Sequence, residues 1–145
     1  MKKLRPIHSD FHYHLALKDQ NLIDLFSDLR DYIFELYPAS NELLYHTHAL
    51  TTVFSISEKM SDGFCHVPIY TKHLNLGFNR GTLLKDPYAM LQGTGKLIRH
   101  LPIQKTEDFR NEKVKELLLG AIDFSINDMD KPSKSTGLTI SKIKK

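Results

Sequence analysis

Cysteine is nearly absent from this chain of 145 residues. Cys65 is the only one, so no intrachain disulfide can form. That usage suits a reducing cytoplasm, which is the expected location. Long apolar runs are missing as well. Nothing approaches the ~20 residues that a membrane-spanning helix needs, and no membrane partner is expected. The opening Met1-Lys2-Lys3-Leu4-Arg5 is basic with no apolar segment behind it, unlike a secretory signal. The familiar catalytic patterns are also missing: there is no G-x-S-x-G elbow, no H-E-x-x-H and no C-x-x-C. No catalytic residue is assigned, and the reading favours a non-enzymatic protein.

The body also lacks an excess of either charge. Residues 1–126 hold fifteen Lys and Arg against fifteen Asp and Glu, and the formal charge of +3 comes from residues 127–145. Nucleic-acid binding calls for a basic face on the folded domain, so a neutral body with a lysine tail argues against it.

What is present is ordinary globular material, 41% hydrophobic and 26% charged, enough for one domain. The chain divides into a domain over 1–126, with its core over 19–126, and a basic tail over 127–145. Residues 1–18 read as irregular and histidine-rich. Leu22, Leu25, Phe26, Leu29, Ile33 and Leu36 make one apolar stripe and predict a helix from near Asp19 to Pro38. Four strands follow at Leu43–His48, Thr51–Ser57, Phe64–Tyr70 and His73–Phe78, too closely spaced for parallel crossovers. Asp86-Pro87 suggests a short helix over Pro87–Leu91. Lys96–Leu101 reads as a fifth strand, and Thr106 as the cap of a long helix carrying Val114, Leu117, Leu118, Ala121 and Ile122. The expected class is α+β, in the order α-β-β-β-β-(short α)-β-α. One antiparallel sheet of about five strands carries both long helices on one face. In the tail, Leu138, Ile140 and Ile143 offer apolar side chains that could dock on the body, as an edge strand, or on a second copy.

The pattern Gly77-Phe78, Gly81, Asp86-Pro87, Leu91, Gly93-Thr94-Gly95-Lys96 and Arg99-His100 resembles the YdhG-like domains of unknown function over roughly Asn21–Ile122. The resemblance implies a frataxin-like fold. It also implies that most such proteins have no assigned activity, while one branch is described as a frataxin-like iron chaperone. Frataxins proper use an acidic ridge. The first long helix here holds Asp24, Asp28, Asp31 and Glu35, with Arg30 among them.

Two sites are expected from these residues. Gly93-Thr94-Gly95-Lys96 is not a P-loop, because Leu97 follows the lysine and a strand, not a helix, comes next. With Asn79, Arg80, Gly81 and Arg99 it predicts a pocket for a small anionic ligand or a partner segment. Under the alternative, metal-handling reading, iron or zinc would be held by His46, His48 and His66, or iron by the acidic helix residues. His46 and His48 are expected to share a strand face. His8, His12 and His14 read as loop composition, and Cys65 as a buried, inert thiol. A homodimer is a further candidate partner arrangement.

Overall fold

The computed structural model describes residues 5–129 and 136–144. Its helices are α1 (Ser9–Leu15), α2 (Gln20–Leu36) and α3 (Glu112–Asp128), and its strands are β1 (Asn41–His46), β2 (Leu50–Ser55), β3 (Gly63–Ile69), β4 (Leu74–Phe78), β5 (Arg99–Ile103) and β6 (Thr139–Ser141). The strands form one six-stranded sheet in the order β5-β4-β3-β2-β1-β6. Successive strands from β1 to β5 pair antiparallel, as their short connections demand, whereas β6 joins the β1 edge in parallel. The sheet is therefore mixed and one strand larger than expected. The α+β class stands. None of the described helices is long and apolar enough to cross a membrane.

The core lies between the helices and one sheet face. Phe26, Leu29 and Ile33 of α2 and Val114, Leu118 and Ile122 of α3 meet Phe54, Val67, Ile69, Leu76 and Phe78 from the strands. Cross-strand register assigns these strand residues to a single face, since Leu50 pairs with Ile69, Ile69 with Leu74, and Leu74 with Ile103. A bulge beside Phe54 and Ser55 shifts the register, and both Phe64 and Cys65 join this core. On the opposite face Ile140, Leu43, Val53, His66, Gly77 and His100 fall in one cross-strand row.

Four elements differ from expectation for identifiable reasons. Residues 9–15, read as irregular, form α1. Its two apolar residues, Phe11 and Leu15, are four apart and buried, and Phe11 stacks on Phe26 with ring centres 5.1 Å apart. No helix forms over Pro87–Leu91. The Asp86 carboxylate accepts from the amides of Met90 and Leu91, closing a wider loop than an N-cap would, and Ala89 takes φ +51°. Thr106 starts only a 3₁₀ turn, Thr106–Asp108. The cap of α3 is Asn111, whose Oδ1 accepts from the Val114 amide at 2.9 Å. The expected tail is part of the fold at its far end. Glu42 N donates to Leu138 O and Lys142 N to Leu44 O, both at 2.8 Å, so β6 is the added edge strand. Residues 130–135 of that tail lie outside the described residues.

Candidate recognition site

β4 ends at Phe78 and leads into Asn79, Arg80 and a 3₁₀ turn, Gly81–Leu83. β5 begins at Arg99 after the segment 93–98. These two loops are zipped together. Thr82 N donates to Leu97 O at 3.0 Å, and Thr82 Oγ1 to Lys96 O at 2.9 Å. Gly81 has to be glycine: a Cβ there would sit 2.4 Å from Arg99 Cβ and 2.9 Å from its backbone nitrogen. Gly93 has φ +129°, open to glycine and strained for other residues. Gln92 and His100 exchange backbone hydrogen bonds and close the loop at its base.

The expected pocket residues are thus neighbours, but the polar side chains of Asn79, Arg80 and Arg99 are engaged by the protein itself. Arg99 Nη1 donates to Gly95 O at 2.6 Å and to Ile98 O at 2.9 Å. Arg80 donates to Ser61 O at 2.9 Å, pairs with Asp128, and lies over the Phe124 ring. Asn79 Oδ1 bonds His66 Nδ1 at 2.8 Å. Thr94 and Lys96 are exposed. The zipped loops also expose three large apolar side chains: Leu83, Leu97 and Ile98 are 55%, 46% and 53% exposed. Lys85 and Lys96 stand close to them in the chain. Sequence reasoning missed these three side chains. Their signal was the break in strand alternation at Leu97-Ile98, which was absorbed into a longer fifth strand.

The expected metal ligands are not brought together. His46 ends β1 on the helix-covered side, since it pairs with Leu50, and His48 lies beyond the strand in the turn to β2. The two do not share a strand face. His66 pairs with Val53 and faces the other side of the sheet. His46 instead packs on His14, ring centres 3.9 Å apart. On α2, Asp28 receives Nε and Nη2 of Arg110, with contacts of 2.6 to 3.2 Å, and also the Thr106 hydroxyl at 3.0 Å. Glu35 receives Arg110 Nη1 at 3.0 Å, and Asp24 receives the Gln20 amide. The Arg110 hydrogen bond holds the Asp28 carboxyl below its usual range, whereas burial pushes Asp31 up. Arg110 therefore ties up two of the four carboxylates of the row, Asp28 and Glu35. Among the described residues no group of three His, Cys, Asp or Glu is placed to hold a metal ion. Cys65 is fully buried, and burial alone raises its thiol well above the ordinary range, as for an inert core cysteine.

Comparison with known proteins adds no relative: no family profile, curated protein or solved structure matches the chain significantly.

Proposed function

We propose that the protein is a small cytoplasmic binding domain of the YdhG-like, frataxin-like kind, acting without covalent chemistry. Its ligand is a partner segment that is apolar and acidic. The supporting observation is the pair of zipped loops. Hydrogen bonds between and within them hold the backbone in place, while Leu83, Leu97 and Ile98 remain about half exposed. Exposed apolar side chains on two loops tied to each other, with lysines next to them in the chain, suit an interaction surface. Lys85 and Lys96 would steer an acidic partner. The small-anion version of the reading has less support, because Arg99 spends Nη1 on its own loop's carbonyls. The iron-handling alternative has less still, because Arg110 occupies Asp28 and Glu35.

The test is a peptide selection on the full-length chain. Random displayed peptides should converge on Leu or Phe mixed with Asp or Glu. Binding of the best peptide should weaken tenfold or more in Leu97→Ser and in Ile98→Ser, and weaken with salt in a manner that Lys96→Ala blunts. Peptides that bind these variants unchanged, or no convergent peptides at all, would reject the reading. Sedimentation of the same variants covers the homodimer: loss of a dimer on either substitution would make the partner a second copy.

A further inference from the structure

A second locus, at the opposite end of the strands from these loops, is independent of that reading. α1 and the end of β1 place His14 against His46, with ring centres 3.9 Å apart and planes at 44°. Tyr13 stands edge-on to His14 at 5.1 Å and is largely exposed. Two cavities meet at His14. The smaller, about 210 Å³, is lined among others by His14, Lys18, Asp19, His46 and Lys72. The larger, about 530 Å³, runs beneath Tyr13 and the stretch after β6, with Ser9, Asp10, Ile143 and Lys144 in its wall.

The carboxylates in these walls are already engaged. Asp19 faces Lys72 at 3.8 Å, and Asp10 accepts from the Ser141 hydroxyl at 2.7 Å. Lys18 and Lys144 make no ion pair among the described residues. The small cavity therefore brings two touching imidazoles and Lys18, none of them in an ion pair among the described residues, beside the Asp19–Lys72 pair. Partial desolvation, His14 and Lys18 together push the His46 imidazole below its ordinary titration range. A group that accepts hydrogen bonds and carries negative charge would relieve that crowding and would be shared by both rings. The larger cavity has the size of a small-molecule site, with an aromatic and an aliphatic side chain in its wall.

We propose that this locus binds an organic oxyanion, its charged head between His14, His46 and Lys18 and its apolar body between Tyr13 and Ile143. The head is recognised by imidazole N–H and ammonium donors, and the body by contact with the phenol ring and the isoleucine. A phosphate or a carboxylate head satisfies the same donors.

Phenyl phosphate, benzoate and inorganic phosphate are the probes, titrated into the full-length protein near neutral pH with NMR detection of the imidazoles and Tyr13. Saturable shifts at His14 and His46 are expected, with the exposed His12 and His48 unmoved. Phenyl phosphate should bind at least tenfold more tightly than inorganic phosphate. Comparison with benzoate assigns the preferred head. Lys18→Ala should weaken all three probes severalfold. Tyr13→Ala should weaken only the two aromatic ones. Both substitutions fall on exposed or half-exposed side chains and leave the core intact. Absence of saturable shifts, or equal shifts at all imidazoles, overturns the site. Equal affinity for inorganic and phenyl phosphate overturns the apolar half of the assignment.

Discussion

Arg30 of α2 and Glu42 of β1 form a two-pronged ion pair inside the protein. Nε meets Oε2 at 2.9 Å and Nη2 meets Oε1 at 2.7 Å, with the two side chains 3% and 1% exposed. The pair ties four segments together. Arg30 also donates to the carbonyls of Arg5 and Pro6, and Glu42 Oε1 accepts from the Thr139 hydroxyl of β6 at 2.8 Å. Arg5 in turn lies over the Phe34 ring and donates to Ser40 O. Both ends of the described chain are therefore held through one buried charge pair.

Removing one partner leaves the other charged and buried, which costs about 3–5 kcal/mol. Glu42→Ala should lose that much in urea unfolding. Arg30→Met combined with Glu42→Leu should recover a substantial part, because no charge is then stranded. A double variant as unstable as the single one would show that the hydrogen bonds to Arg5, Pro6 and Thr139, not the charges, dominate.

A chain ending at residue 135 tests whether β6 belongs to the domain. Leu138 takes the Glu42 amide, Leu44 takes the Lys142 amide, and Asn41 Oδ1 takes the Leu138 amide. Truncation leaves these partners, the first on a bare sheet edge and the last at a buried asparagine. The Glu42 amide should lose its hydrogen-exchange protection, the domain should lose stability by a few kcal/mol at about 1 kcal/mol per net hydrogen bond, and the exposed β1 edge should promote association. Unchanged protection at Glu42 would mean that β6 contributes nothing in solution.

The helix α2, the four hairpin-linked strands and the burial of Cys65 were legible because each rests on local periodicity or composition. What was not legible depended on distance or on competition. Asp86-Pro87 reads as a helix start, yet the same carboxylate reaches farther along the chain to Met90 and Leu91. Seven residues with one buried pair, Phe11 and Leu15, are too short a pattern to identify α1. The candidate acidic ridge looked available because Arg110, which takes up Asp28 and Glu35, lies on the far side of the sheet sequence. His14 and His46 belong to different elements, so no spacing rule could pair them. Gly81 and Arg99, expected together, lie side by side, but the direction of the guanidinium could be seen only in three dimensions.

Gly77 leaves room for an imidazole. A Cβ at this position would lie 2.2 Å from His66 Nε2 and 2.6 Å from Cε1, so the ring occupies the place of the missing side chain. The ring is pinned from its other nitrogen by Asn79 Oδ1. Gly77→Ala should cost about 1–3 kcal/mol, as for an overpacked site. Most of that cost should vanish in the His66→Ala background, giving a coupling energy well above experimental error in a double-mutant cycle. Additive effects would place the strain in the backbone of β4 and not in the ring.

The same imidazole sets a pH dependence. Burial holds His66 below its ordinary titration range, outweighing the opposing hydrogen bond to Asn79, and His100 adds to the depression. The unfolded chain takes up this proton near pH 6.5, while the native chain still refuses it. Stability contributed by neutral His66 is therefore complete above about pH 6.5, falls as pH drops below that value, and stops falling once pH passes below the native value. His46 is depressed as well and acts with the same sign. Asp28 is held below the ordinary carboxylate range by Arg110 and stays charged at these pH values. Urea midpoints measured at pH 7.5 and pH 5.5 should thus decrease in the parent chain, and decrease less in His66→Gln. An equal decrease in both proteins would assign the acid sensitivity to other groups and leave His66 with a packing role alone.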